Sequence, residues 1–107
     1  MVHIILLIQY AGSARTKSWA EFKCSRDCVK YICTMYEENL KKANSHLPQI
    51  TYDISDLYNY IDDLKDMSCM ISRDDSDEYI AYDKGWLKMK IFFVLRNEVN
   101  VEEEFID

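Results

Sequence analysis

The hydrophobic pattern begins with a strand that is apolar on both of its alternating faces. In an extended chain successive side chains point to opposite faces, so residues two apart share a face. The stretch from His3 to Tyr10 reads HIILLIQY. Its two predicted faces are Val2, Ile4, Leu6 and Ile8 on one side and His3, Ile5, Leu7 and Gln9 on the other. Both faces therefore need an apolar layer to cover them.

A returning strand and a long helix are predicted next. The polar stretch from Ala11 to Ser18 predicts a loop, and Trp19 to Phe22 predicts a strand that completes a β-hairpin. A helix is then expected from Ser25, a residue type favoured at the N-cap, to about Ala43. Its predicted core face holds Val29, Ile32, Tyr36, Leu40 and Ala43.

The same helix carries a second, weaker apolar stripe, formed by Cys28, Tyr31 and Met35. The main core face cannot bury this stripe as well, so we expect it to be exposed. An exposed stripe suits a partner segment laid beside the helix, with Tyr31 as the main contact because aromatic residues dominate binding interfaces. The alternative is that the stripe packs against the second helix or the hairpin loop.

A second helix is predicted after a break. Pro48 disfavours helical geometry at Leu47 and lacks a backbone donor, so the first helix must end before it. Asp53 or Ser55 is expected to cap the next helix, whose apolar positions recur at helical spacing up to Leu64.

The remaining segments predict a second hairpin, a last helix and a tail. Residues 68–72 and 79–82 are β-compatible and flank a charged turn, and Asp83 is placed to cap the last helix. Residues 1–97 are expected to form one domain, and the acidic residues 98–107 a flexible tail.

The order ββααββα predicts an α+β fold, an antiparallel four-stranded sheet with three helices on one face. If the helices cover the even-numbered face of the first strand, Ile5 and Leu7 remain on a bare face. Exposed apolar patches usually mark interfaces, so we expect a homodimer through the open sheet faces. The predicted dimer residues are His3, Ile5, Leu7, Gln9 and Met70.

Charge and composition exclude several classes of function. A net charge of −6 does not favour direct binding to nucleic acid, and no apolar run is long enough to span a membrane. No leader sequence is recognisable, so an intracellular location is expected. The four cysteines lack a CxxC pair and are expected to be reduced thiols, with no metal or other cofactor. His3 and His46 have no recognisable nucleophilic partner, so no enzyme is predicted.

Several stretches, taken in order, resemble the enhancer of rudimentary homolog family. The matching stretches are IILLIQ (4–9), MYEENLKK (35–42), ITYDISDLYNYIDDL (50–64), SCM (68–70) and YDKGWLKMKI (82–91). The resemblance implies a small homodimer without catalytic activity that acts as an adaptor in nuclear RNA metabolism, transcription and small-RNA processing. It implies binding to short segments of RNA-processing proteins, two partner copies bridged by one dimer, and Ile5 and Leu7 in the dimer contact. Its implied location is nuclear, or also cytoplasmic.

The chain also departs from this family. Ser18, followed by Glu21, fits a phosphorylation site for an acidophilic kinase, but Cys24 stands at the second such position. The acidic ending replaces a shorter, more basic one. Two alternative functions remain: a transcriptional cofactor, or a protein that contacts RNA itself through its aromatic residues and the basic side chains Arg15, Lys17, Lys41 and Lys42.

Overall fold

The computed structural model describes residues 2–12, 14–47, 51–73 and 77–96. Its strands are β1 (His3–Gln9), β2 (Lys17–Phe22), β3 (Asp66–Ser72) and β4 (Ile80–Tyr82). Its helices are α1 (Ser25–Ala43), α2 (Ile54–Asp63) and α3 (Lys84–Arg96), and a short 3-10 turn, Ala14–Thr16, precedes β2. The order ββααββα and the α+β class are those predicted from the sequence.

The four strands form one antiparallel sheet in the order β2-β1-β3-β4. The central strand β1 pairs with β2 on one side and with β3 on the other. Leu6, for example, lies opposite Ala20 of β2 and Cys69 of β3. Because opposite residues of an antiparallel pair share a face, this register aligns the even-numbered side chains of β1 with the odd-numbered side chains of β3.

The three helices cover this aligned face and bury it. Ile4, Leu6 and Ile8 are at most 3% exposed. The helices contribute the buried side chains Val29 and Ile32 from α1, Leu57 and Ile61 from α2, and Leu87, Ile91 and Val94 from α3. Full burial of one such side chain contributes about 1.5–3 kcal/mol, so this layer is the main source of folding free energy.

Aspartates begin two of the helices, as the sequence predicts. The Asp53 carboxylate accepts from the backbone N–H of Asp56, whose side chain accepts in return from the backbone N–H of Asp53. Asp83 accepts from the backbone N–H of Trp86 at 3.0 Å. These bonds satisfy amide groups that the first turn of a helix leaves without intrahelical partners.

Several boundaries and one cap differ from the prediction. The strand β2 begins two residues before Trp19, β3 two residues before Ser68, and β4 one residue after Tyr79, because pairing with neighbouring strands extends or shortens an element beyond its local pattern. Cys24, not Ser25, is the N-cap of α1. Ala43 is exposed and so is not part of the core face. Pro48 and the tail 98–107 lie outside the described residues.

Candidate functional site

The face of the sheet away from the helices has an apolar centre. Ile5 of β1 lies opposite Met70 of β3, which in turn lies opposite Ala81 of β4. Leu7 lies opposite Trp19 of β2. Leu7 is 37% exposed and Trp19 is 68% exposed. The described residues thus leave apolar side chains from all four strands at the surface, and we refer to this surface as the open face.

Polar side chains flank this apolar centre, and two of them, from Glu21 and Tyr79, converge on His3. The Nε2 atom of His3 lies 2.8 Å from a carboxylate oxygen of Glu21, and its Nδ1 atom lies 2.6 Å from the hydroxyl of Tyr79. A carboxylate only accepts, so Nε2 donates to Glu21, while Nδ1 shares a hydrogen bond with the Tyr79 hydroxyl. This bridge fixes three side chains at one end of the open face.

A groove of about 440 Å³ lies at the other end of the open face. Leu7 and Trp19 form its apolar wall, and Ser68 lies opposite Leu7 across the strand pair. Lys17 and Asp66 contribute opposite charges at its edge. An apolar centre with a polar, hydrogen-bonding rim is the usual anatomy of a protein–protein interface.

The structure places all five predicted dimer residues on the open face. Met70 lies directly beside Ile5, and His3 and Gln9 lie at the two ends of β1. Sequence reasoning missed the contributions of the flanking strands, namely Trp19, Glu21, Tyr79 and Ala81. The sequence does indicate that Trp19 and Glu21 share a face, because they are two residues apart in one strand. Only the strand register shows that they lie beside Leu7 and Ile5.

The second predicted surface, the flank of α1, is only partly exposed. Tyr31 is 38% exposed and its ring packs against Phe22 of β2, with 5.3 Å between ring centroids. The sulfur of Met35, which is half-buried, accepts a hydrogen bond from the hydroxyl of Tyr10 at 3.2 Å. One side of Tyr31 and one side of Met35 therefore pack against the hairpin, as the alternative prediction had it. The α1 flank, as we use the term, consists of Tyr31, Met35 and Tyr10.

Cys28 does not belong to this exposed flank, and its predicted exposure is wrong. It is 3% exposed and lies in the core beside Cys69. A hydrogen bond with Cys69, and then burial, raise the pKa of the Cys28 thiol far above its usual range. The physical reason is the width of the buried face of α1, which extends one row of side chains further than the core face predicted from the sequence.

A tyrosine cluster continues the α1 flank towards α2. Tyr36 lies 4.9 Å, between ring centroids, from both Tyr52 and Tyr60. The hydroxyl of Tyr60 accepts a hydrogen bond from the Asn39 side chain, and the hydroxyl of Tyr52 donates to Glu37. Burial raises the pKa of all three phenols, so they remain neutral hydrogen-bonding groups at physiological pH.

The predicted modification position lies on an exposed part of β2. Ser18 is exposed and lies opposite Ile8 near the start of the strand. Cys24, at the second position of the family pattern, is half-buried and directly precedes α1. Ser18 is therefore sterically open, and its phosphorylation stays a prediction.

The described residues offer no grouping of three or more histidine, cysteine, aspartate or glutamate side chains arranged to hold a metal ion. None of the four cysteines forms a disulfide. Within the same described part of the chain, no helix is long and apolar enough to cross a membrane.

Comparisons with known proteins are consistent along almost the whole chain. The family model described as enhancer of rudimentary matches residues 1–101. The protein enhancer of rudimentary of Drosophila virilis is 40% identical over 96 residues, which cover 90% of this chain and 92% of that protein. An enhancer of rudimentary homolog of Caenorhabditis elegans is 37% identical over 100 residues, covering 94% and 97%. One of Arabidopsis thaliana is 37% identical over 98 residues, covering 92% and 90%. The chain therefore belongs to the enhancer of rudimentary family.

Proposed function

We propose that this protein is a non-enzymatic homodimeric adaptor, which binds short segments of RNA-processing proteins and bridges two copies of its partner. The observation that carries the proposal is the open face, where Ile5, Leu7 and Trp19 meet at the surface while the opposite face of the same strands is buried. A sheet in water is normally polar on its outer side, so an apolar outer side favours a further protein layer.

A second copy of the chain is the occupant that best suits the open face. A two-fold contact between sheets brings the same patch together from both copies, and β1 at the centre of each sheet would lie at the centre of the contact. The apolar side chains would then be buried in the middle, and the bridge of His3 with Glu21 and Tyr79 would lie nearer the rim.

The test of the dimer is a pair of arginine substitutions at the centre of the open face. Ile5→Arg with Leu7→Arg should give monomers in sedimentation-velocity experiments, because a dimer would bury four guanidinium groups without partners. The matched control, Thr34→Arg with Asn59→Arg, adds the same charge at two exposed helical positions and should remain dimeric. A double variant that sediments as the same stable dimer as the unmodified protein would contradict the open-face contact.

The adaptor role is supported by the α1 flank, which presents a half-exposed aromatic ring and a thioether next to each other. Tyr31 and Met35 are one helical turn apart, and both keep one side accessible while the other packs on the hairpin. An extended or helical partner segment could bury these sides. In a symmetric dimer the flank occurs twice, so one dimer would hold two partner segments.

The RNA-processing partners and the nuclear location in this proposal come from the family resemblance. A synthetic partner segment titrated into the protein, with the mass of the complex measured by light scattering, should give two segments per dimer. Direct contact with RNA is the competing outcome. RNA binding that weakens steeply with salt, and that depends on the exposed Lys41 and Lys42, would favour it over the adaptor.

A further inference from the structure

The outer side of β2 is a sheet edge that belongs to neither of the two surfaces described above. In the strand order β2-β1-β3-β4, no strand among the described residues lies beyond β2. The opposite edge strand, β4, has three residues, whereas β2 has six. The backbone N–H and C=O groups of an edge strand are open to pairing with another chain. We refer to the outer side of Lys17–Phe22 as the β2 edge.

One hydrogen bond shows which residues of β2 direct their backbone groups outward. The backbone N–H of Tyr10 donates to the carbonyl of Thr16 at 3.3 Å, in the pair that directly follows the β1–β2 ladder. Hydrogen-bonded and non-hydrogen-bonded pairs alternate along an antiparallel ladder. The even-numbered residues of β2 therefore bond to β1, while Lys17, Trp19 and Glu21 direct their N–H and C=O groups to the β2 edge.

The side chains of these three residues are complementary to a second copy of the same strand. Two β2 strands that pair antiparallel about a two-fold axis at Trp19 place the two Trp19 residues opposite each other. Lys17 of each copy then lies opposite Glu21 of the other. Aromatic pairs and opposite charges across a strand pair are stabilising, and each of these pairs also exchanges two backbone hydrogen bonds.

Both charges are available for this contact. Lys17 is exposed and is in no ion pair with another residue that the structure describes. The Glu21 side chain is 55% exposed, and its bond to His3 uses only the Oε1 atom. A carboxylate accepts hydrogen bonds at both oxygens, so Glu21 can bind His3 and a lysine together. A lysine on an edge strand normally opposes pairing, but here the residue opposite it is acidic.

The residues between these pairs are small, and they favour the same register. Ser18 of each copy lies opposite Ala20 of the other, on the helix side of the joined sheet. Small side chains at these positions allow the two strands to approach. A register shifted by two residues would place Lys17 opposite Trp19 or opposite Lys23, and the pairing of Lys17 with Glu21 would be lost.

We propose that the β2 edge pairs with the β2 edge of a second copy, antiparallel and centred on Trp19, so that two four-stranded sheets become one continuous sheet. Three residue pairs form a weak contact, since an isolated pair of strands is only marginally stable in water. Copies therefore join through this edge at high protein concentration. The contact is separate from the open-face contact, because its hydrogen bonds come from the backbone of the edge.

Disulfide trapping tests the register of this contact. The background carries Ile5→Arg with Leu7→Arg, which removes the open-face contact, and Cys24→Ser, which removes the accessible thiol. One variant adds Ser18→Cys and another adds Ala20→Cys. Opposite residues of a non-hydrogen-bonded pair are close enough for a disulfide, so the mixture should cross-link at least about tenfold faster than either variant alone under copper phenanthroline. A mixture of Thr34→Cys with Asn59→Cys, two exposed helical positions, is the control.

Exchange of the two charges tests the complementarity. Lys17→Glu in both members of the mixture places carboxylates opposite each other and should lower the cross-linking rate to that of the control. Lys17→Glu in one member with Glu21→Lys in the other restores opposite charges between unlike copies and should restore the rate. A mixture that cross-links no faster than the control would overturn the proposal, and so would a rate that Lys17→Glu leaves unchanged. Neither result bears on the open-face dimer, which the background variant lacks.

Backbone hydrogen exchange in the unmodified protein distinguishes a second copy from another occupant. The amides of Lys17, Trp19 and Glu21 should exchange more slowly as the protein concentration rises, while those of Ser18 and Ala20, which bond to β1, should not change. This alternation is specific to pairing at the edge, because burial of the open face does not favour odd-numbered amides. Exchange that is independent of concentration would overturn the proposal. Protection that appears only when a partner segment is added would assign the edge to that segment and overturn it as well.

Discussion

Leu7 and Trp19 lie directly opposite each other on β1 and β2, and both side chains point to the open face. The neighbouring pair in the same two strands, Leu6 and Ala20, points to the other side of the sheet and faces the helices. One register therefore sorts the hairpin into a buried layer and an exposed apolar layer. A shift of the register by one residue would exchange the two layers, which makes the hairpin register a determinant of any contact through this face.

Replacing Trp19 by alanine should weaken the dimer more than the fold. The indole is 68% exposed in the single chain, so its loss removes little from the core. In a dimer it would be buried against the second copy, and truncation of one well-packed aromatic costs about 2 kcal/mol or more at an interface. Sedimentation equilibrium over a dilution series should show a dissociation constant raised by at least about tenfold, with a melting temperature measured at saturating concentration close to that of the unmodified protein.

The matched control for this substitution is Tyr79→Phe, which removes only the hydroxyl that is hydrogen-bonded to Nδ1 of His3 at the rim of the open face. Rim contacts contribute little to affinity, so this variant should dissociate nearly as the unmodified protein does. Equal dissociation constants for Trp19→Ala and the unmodified protein would exclude Trp19 from the dimer contact.

Replacing Tyr31 by alanine should reduce partner binding and leave the dimer intact. The ring has one side on Phe22 and the other exposed, so the variant loses part of one hydrophobic contact in the free protein and the whole aromatic contact in a complex. Calorimetric titration with a partner segment should show weaker binding, with a smaller effect for Met35→Ala and none for Cys28→Ser beyond that of stability. A Tyr31→Ala protein that loses several degrees of melting temperature and binds normally would place this residue in the core only.

The sequence was sufficient to predict the layers of this fold and the parity of its strands. Alternation in a strand is a local property, set by backbone geometry alone, so the sequence itself places Ile5 and Leu7 on the bare face. The element order then required the helices to lie on the more apolar face. The same local rule does not predict that Trp19, Glu21 and Tyr79 lie on the open face. Their positions depend on contacts between segments up to 76 residues apart.

Cys28 shows the limit of helical periodicity. Its angular position on α1 is at the margin of the core stripe, and whether a marginal residue is buried depends on what the neighbouring elements place above it. Here Cys69 of β3 lies against it, a contact between residues 41 positions apart that no local pattern can indicate. Tyr31 and Met35, one step further round the helix, lie beyond that margin and remain partly exposed.

The cap of α2 predicts a specific dependence of stability on acid. Hydrogen bonds from the Ser55 hydroxyl and from the Asp56 backbone hold the pKa of Asp53 below its usual value of 3.8. The folded state therefore favours the ionised carboxylate. This contribution is present above the pKa of the unfolded chain and is lost as the pH falls through the lower pKa of the folded state.

Asp53→Asn keeps a capping oxygen but cannot ionise. At about pH 6 it should therefore melt at a lower temperature than the unmodified protein, and at about pH 2 the two melting temperatures should be nearly the same. The control, Asp77→Asn, changes an exposed aspartate outside the helix caps. Thermal melts at several pH values decide the matter, and a difference in melting temperature that is constant across the acid range would contradict a role for the charge of Asp53.

The four thiols should differ sharply in reactivity, although none of them forms a disulfide. The thiolate is the reactive form, and Cys28 is both buried and shifted to a raised pKa by its hydrogen bond with Cys69, so it should resist modification in the folded protein. Cys33 and Cys69 are also buried, which leaves the half-buried Cys24 as the accessible thiol. A disulfide reagent such as dithionitrobenzoate should therefore show one fast thiol in buffer and all four in denaturant. Cys24→Ser should abolish the fast phase and Cys28→Ser should preserve it. Fast modification of Cys28 in a protein that retains its circular dichroism spectrum would contradict its burial in the core, and would support the exposed position that the helical pattern predicts.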